Sequence, residues 1–183
     1  MFSKILIKLV DQAIVPAIVL LASRVLSLVF ISSYYRVPYT FDARGVSFAS
    51  GTDFVLVNSY SVLFMIVVIA VGILFMLLKA YFLHDTHIAP HVTAKMYSLR
   101  LSAFIQSSFD LYSQGAIWLS YLYLMVFVSG ILAFFGFIYA WIFIVAIVLG
   151  VISSVFLVID VERELFSEYK NTNPDIVIDF GDN

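Results

Sequence analysis

Residues 111–159 read "LYSQGAIWLSYLYLMVFVSGILAFFGFIYAWIFIVAIVLGVISSVFLVI", and no charged side chain occurs in them. A soluble domain carries charge on about a quarter of its residues, because water must coat it. An uncharged stretch of this length is instead suited to lipid. It is long enough for two membrane crossings at ~20 residues each, and too long for one, since the hydrocarbon core is only ~30 Å thick. The reversal is expected at Phe135-Gly136-Phe137, where glycine permits a tight turn.

Composition extends this reading to the whole chain. Of its 183 residues 63% are hydrophobic and 12% charged, too few charges to cover a water-soluble globule. Two further apolar runs precede the quoted stretch. The expected fold is an all-α integral membrane protein with spans at about 12–33, 55–83, 116–135 and 140–159. Spans must be helical, because lipid offers the backbone no hydrogen-bond partner. Barrel strands would alternate in short segments, whereas these runs are apolar on every face. Residues 2–23 imitate a signal peptide, but the apolar pattern resumes past Arg24 to Ile31, too long for a cleaved segment, so an uncleaved first helix is expected. Pro16 is placed near the start of that helix, where a missing N–H is tolerated or gives a mild kink.

Orientation follows from the cations in the flanks. Lys4, Lys8, Lys79, Lys95, Arg100, Arg163 and Lys170 fall on one side, and Arg36 and Arg44 on the other. Seven against two puts both termini and residues 84–115 in the cytoplasm, with the plasma (inner) membrane as the expected location. The outer connection, 34–54, holds Tyr34, Tyr35, Tyr39, Phe41 and Phe48, rings that suit the headgroup level, and Arg44-Gly45 can turn a small hairpin. Residues 1–160 are expected to form the bundle, and 161–183 an acidic cytoplasmic tail whose first part continues the fourth helix. Within that tail Ile176-Val177-Ile178 reads as a short strand able to pair with a partner's sheet edge.

Residues 84–91, "HDTHIAPH", contain every histidine of the chain. His84, His87 and His91 follow i, i+3, i+7 spacing, one face of a continuous helix, and Asp85 offers a fourth ligand or an orienting carboxylate. Pro90 argues against continuity, since its ring clashes with the carbonyl of Thr86. The histidines then straddle a bend, and the plainer reading is polar residues at a helix end. From Pro90 to Gln114, Tyr97, Leu101, Phe104, Ile105 and Tyr112 follow helical spacing among Lys95, Arg100, Gln106 and Asp110. This predicts an amphipathic helix at the inner interface between spans 2 and 3, or an extension of the third span.

Other chemistry is narrowly bounded. Cysteine is absent, which removes disulfides, thiol catalysis and cysteine-ligated metals. A net charge of −2 gives no basic field for nucleic acid. No nucleophile elbow, zinc-protease motif or nucleotide-binding loop occurs. Histidines confined to one connection do not suit an intramembrane bis-histidine haem, and no cofactor is assigned. On the fourth span Ala146, Gly150 and Ser154 make a small-residue face, which lets helices approach closely, either within the bundle or against a partner.

Arg24 lies near the middle of an expected span, whereas Lys79 falls close to the end of its own. Arg24 is about 18 Å from its span's inner end, at 1.5 Å per residue. A central arginine costs about 2.5–3.5 kcal/mol on insertion scales. Either it snorkels toward the outer headgroups, helped by Ser27, or it faces protein and meets an acidic group or carbonyls from a neighbouring subunit or an anionic ligand. Taken together, the sequence predicts a non-catalytic accessory subunit, whose partners are the bilayer and other membrane subunits or further copies of itself. The alternatives are an oligomeric channel or transporter component using Arg24, and, behind both, an enzyme or metal-binding protein using the histidine loop.

Overall fold

A computed structural model describes residues 2–42, 45–83, 98 and 108–172, and side chains over 7, 9–41, 45–79, 98 and 111–162. The described residues form four helices and one hairpin: α1 (Phe2–Tyr35), β1 (Tyr39–Asp42), β2 (Gly45–Phe48), α2 (Gly51–Leu83), α3 (Ser108–Phe134) and α4 (Ala140–Thr172). Each helix contains a stretch long and apolar enough to cross a membrane: Leu9–Tyr35, Gly51–Lys79, Leu111–Phe134 and Ala140–Glu162. Four helices of this length and hydropathy are the build of a multi-pass helical membrane protein.

The helices are longer than the expected spans because their ends are polar rather than unstructured. Ser50 caps α2: its hydroxyl accepts from the Thr52 amide at 3.2 Å and its carbonyl from Phe54 at 3.1 Å. Polar Gly51-Thr52-Asp53 therefore belongs to the helix, four residues before the expected apolar start. Likewise α3 begins at Ser108, so residues 108–114 extend the third span. The rest of the expected amphipathic helix, apart from Ser98, lies outside the described residues, as does the Ile176-Val177-Ile178 segment.

The placement of Pro16 is corrected. Because α1 begins at Phe2, Pro16 lies in the helix interior, fully buried, and not near its start. Lacking an N–H, it leaves the Gln12 carbonyl without its helical donor and crowds that turn. At the adjacent carbonyl a neighbouring helix adds a bond, for the Tyr121 hydroxyl donates to the Ala13 carbonyl at 3.1 Å. On the adjacent residue the Ser113 hydroxyl donates to Gln12 Oε1 at 3.1 Å, so this part of α1 is fastened to α3.

Two helices end in the same motif. At the end of α3 the Phe137 amide bonds back to Leu132 at 2.9 Å and Gly136 to Ala133 at 3.1 Å, with Gly136 left-handed at φ 72°. This is a Schellman end, and glycine carries no Cβ penalty there. The reversal thus falls where the sequence predicts it. At the end of α1 Val37 bonds to Ser32 at 2.9 Å and Arg36 to Ser33 at 3.3 Å, and here a non-glycine, Arg36, takes φ 56°. Pro38 follows, unable to continue a helix. The expected hairpin forms with Tyr39 opposite Phe48 and Asp42 opposite Gly45.

Like α3, α2 packs against the other three helices. Its Val62, Ile66, Ile69 and Ile73 are buried with Leu20, Leu122, Met125, Ile138, Ile142 and Ala146. Outward faces carry Leu21, Phe30, Phe75, Phe127 and Phe156, all exposed, as lipid-facing residues must be.

Candidate functional site

Apart from Ser153, the buried polar side chains among the described residues lie in the half of the bundle where α1 and α2 meet the α3–α4 turn. Ser23, Ser27, Ser32, Asn58, Ser59 and Ser61 are buried there. On α1 the spacing 20, 23, 27, 31 is one helical face, which places Ser23 and Ser27 in the same buried row as Leu20 and Ile31. Arg24 flanks that row and is half-buried.

Arg24 Nη2 donates to Asn58 Oδ1 at 2.6 Å. Asn58 Nδ2 in turn donates to the Phe137 carbonyl at 2.9 Å. The two bonds fix the amide's orientation, since reversal would set its NH₂ against the guanidinium and its oxygen against a carbonyl. A second link runs beside the first. Ser27 Oγ donates to the Arg24 carbonyl at 3.0 Å and shares a hydrogen bond with Ser61 Oγ. Since Ser27 has a single proton, Ser61 is the donor in that pair. Ser59 Oγ accepts from the Tyr139 amide at 2.9 Å, tying α2 to the residue that precedes α4.

The guanidinium is not fully matched. Nη1 is buried and has no hydrogen-bond partner. The group that Nη2 bonds is a neutral amide, and no carboxylate pairs with Arg24 among the described residues. A charged donor left unmade in a low-dielectric setting costs at least the ~1–3 kcal/mol of an unsatisfied polar group.

Depth along the bundle clarifies this. The Arg24 backbone lies 11 residues before the end of α1, about 16 Å at 1.5 Å per residue. Its head reaches the level of Asn58, which also bonds the α3–α4 turn at Phe137. Two residues on, the Tyr60 ring stacks on Tyr35 at 5.6 Å and meets Trp141 edge-on at 6.4 Å. A second run of rings, Phe48–Phe54–Phe137–Phe135, crosses the same end. Tyr and Trp favour the membrane–water boundary. Arg24 therefore reaches toward that boundary, as a snorkelling arginine does, yet it stays against protein and ends on Asn58.

The remaining sequence-derived residues divide. Ala146 is fully buried, and Gly150 packs on α3, where a Cβ would stand 3.6 Å from Val126 and 3.7 Å from Tyr123. Ser154 shares a 2.7 Å hydrogen bond with the Tyr123 hydroxyl and donates to the Gly150 carbonyl at 2.9 Å. The small-residue face of α4 thus packs inside the bundle. His84, Asp85, His87 and His91 lie outside the described residues. Among the described residues no three potential metal ligands come together. Asn58 was missed by sequence reasoning, because a lone amide near the edge of an apolar run carries no motif. The available signal was Arg24 itself, which needs a polar acceptor within reach.

No known protein family, curated protein or solved structure matches the chain.

Proposed function

We propose that the chain is a non-catalytic, multi-pass accessory subunit of a larger membrane assembly, with Arg24 completed by an anionic group from outside the chain. The observation that carries this reading is the unmatched guanidinium: a cation inside a transmembrane bundle, bonded to one neutral amide, with Nη1 buried and unpartnered. Intramembrane arginines are costly and mark partners or ligands. The small-residue face of α4, used up within the bundle, lends this reading no support. In the proposed orientation both termini are cytoplasmic and the hairpin lies outside.

An oligomeric channel or transporter component is the second reading, favoured by the string of buried hydroxyls and amide at Ser23, Ser27, Ser61 and Asn58 beside Arg24. Arg24→Leu tests both. Expressed in its own membrane, the variant is expected to insert at wild-type level but to lose co-migration with its partners on native gels. Insertion and assembly both equal to wild type would make Arg24 a snorkelling residue with no binding role.

A further inference from the structure

The anion that Arg24 lacks can be identified by where the guanidinium sits. Its head lies at the level of the α3–α4 turn and the Tyr35–Tyr60–Trp141 rings, although its backbone is far deeper. At that level of a bilayer the abundant anion is the lipid phosphate. Guanidinium and phosphate match as a two-toothed pair, two N–H groups to two oxygens. Here the fork is half-engaged: Nη2 uses one bond to Asn58, and Nη1 is unpartnered. Asn58 is held from behind by the Phe137 carbonyl, so it braces the guanidinium from one side and leaves the Nη1 side for another ligand. Nη1 is covered, so a phosphate reaches it only as that cover moves aside, and the unmade charged bond favours that exchange.

We infer that Arg24, braced by Asn58, is a receptor for the phosphate group of a membrane lipid in the leaflet on the side of the β1–β2 hairpin. The inference rests on the reading above only in taking the missing anion to come from outside the chain. It commits to a phosphate, where a partner's carboxylate is the rival.

The test uses the full chain in detergent, delipidated, with adducts read by native mass spectrometry. The probes are phosphatidylglycerol, diacylglycerol of the same chains, and inorganic phosphate. Phosphatidylglycerol is expected to be retained, and diacylglycerol, which has no phosphate, is not. Arg24→Gln is expected to weaken retention about tenfold or more, the equivalent of one charge-assisted hydrogen bond. Inorganic phosphate competing as well as the lipid at equal concentration supports the phosphate site and assigns its source to the aqueous side. Asn58→Asp supplies a carboxylate beside the guanidinium within the chain itself, which offsets the lost donor to the Phe137 carbonyl, so it is expected to fold and to lose the lipid even if Arg24→Gln misfolds. Equal retention by wild type, Arg24→Gln and Asn58→Asp overturns the inference, and so does equal retention of diacylglycerol. Co-purification of other subunits is a separate readout. Partners lost from Arg24→Gln with lipid retention unchanged would overturn the lipid site alone, and lipid lost with partners retained would overturn the partner role alone.

Discussion

Asn58 is the residue on which the polar end turns. It accepts from Arg24 and donates to Phe137, so Asn58→Leu strands a charged donor and a turn carbonyl together. The expected cost is about 1.5–3 kcal/mol, the range for a hydrogen bond to a charged group. Thermal unfolding in detergent, followed by the fluorescence of the two tryptophans, measures it. A melting temperature equal to wild type would mean that the amide carries no weight. Gly72 tests packing in the same way. A Cβ there would fall on the Trp118 ring, so Gly72→Ala should lose about 1–3 kcal/mol, the usual cost of overpacking. An unchanged transition would contradict the close α2–α3 approach. Arg24 was legible as an anomaly because charge inside an apolar run is conspicuous. Its acceptor was not, because the contact joins residues 34 positions apart and depends on how α1 leans on α2.

Helix ends show which local signals the sequence carries. The α3–α4 break was legible because Gly136 is the residue type that a left-handed end favours. The end of α1 was less so, since Arg36 adopts the same conformation with a side chain that disfavours it. The two ends therefore respond oppositely. Gly136→Ala should lose about 1–2 kcal/mol, the penalty for placing a Cβ in left-handed backbone. Arg36→Gly should be neutral or gain up to about 1 kcal/mol by relieving it. Both are read from the same melting curves, and the opposite pattern would contradict the Schellman assignment. Polar first turns, as at Ser50–Asp53, also escaped a search for apolar runs, although Ser50 with Asp53 three residues on is a capping pattern. Pro16 supplies a coupled case. If the proline is why the Ala13 carbonyl accepts from Tyr121, then Tyr121→Phe should cost about 0.5–1.5 kcal/mol in wild type and less in a Pro16→Ala background. Additive effects in that cycle would separate the bond from the kink.

At the scale of the molecule, the type of element follows from composition, 63% hydrophobic residues, and the number of spans from the lengths of the apolar runs. The arrangement does not. That α2 and α3 each touch all three other helices, and that Gly150 of α4 meets Tyr123 and Val126, depends on packing among faces that are all apolar. Periodicity distinguishes an inner face only where the outer one is polar, and lipid removes that contrast. Orientation is checked directly because the chain has no cysteine of its own. Thr40→Cys in the exposed hairpin should react with an impermeant maleimide added outside intact cells, and Asn171→Cys in the last turn of α4 only after permeabilisation. The reverse labelling would invert the proposed topology. The accessory-subunit reading is tested most directly by native mass spectrometry of the complex extracted gently from its own membrane. The account expects discrete co-purifying subunits in fixed ratio to this chain, lost with Arg24→Leu, and a pure homo-oligomer or a lone chain would contradict it.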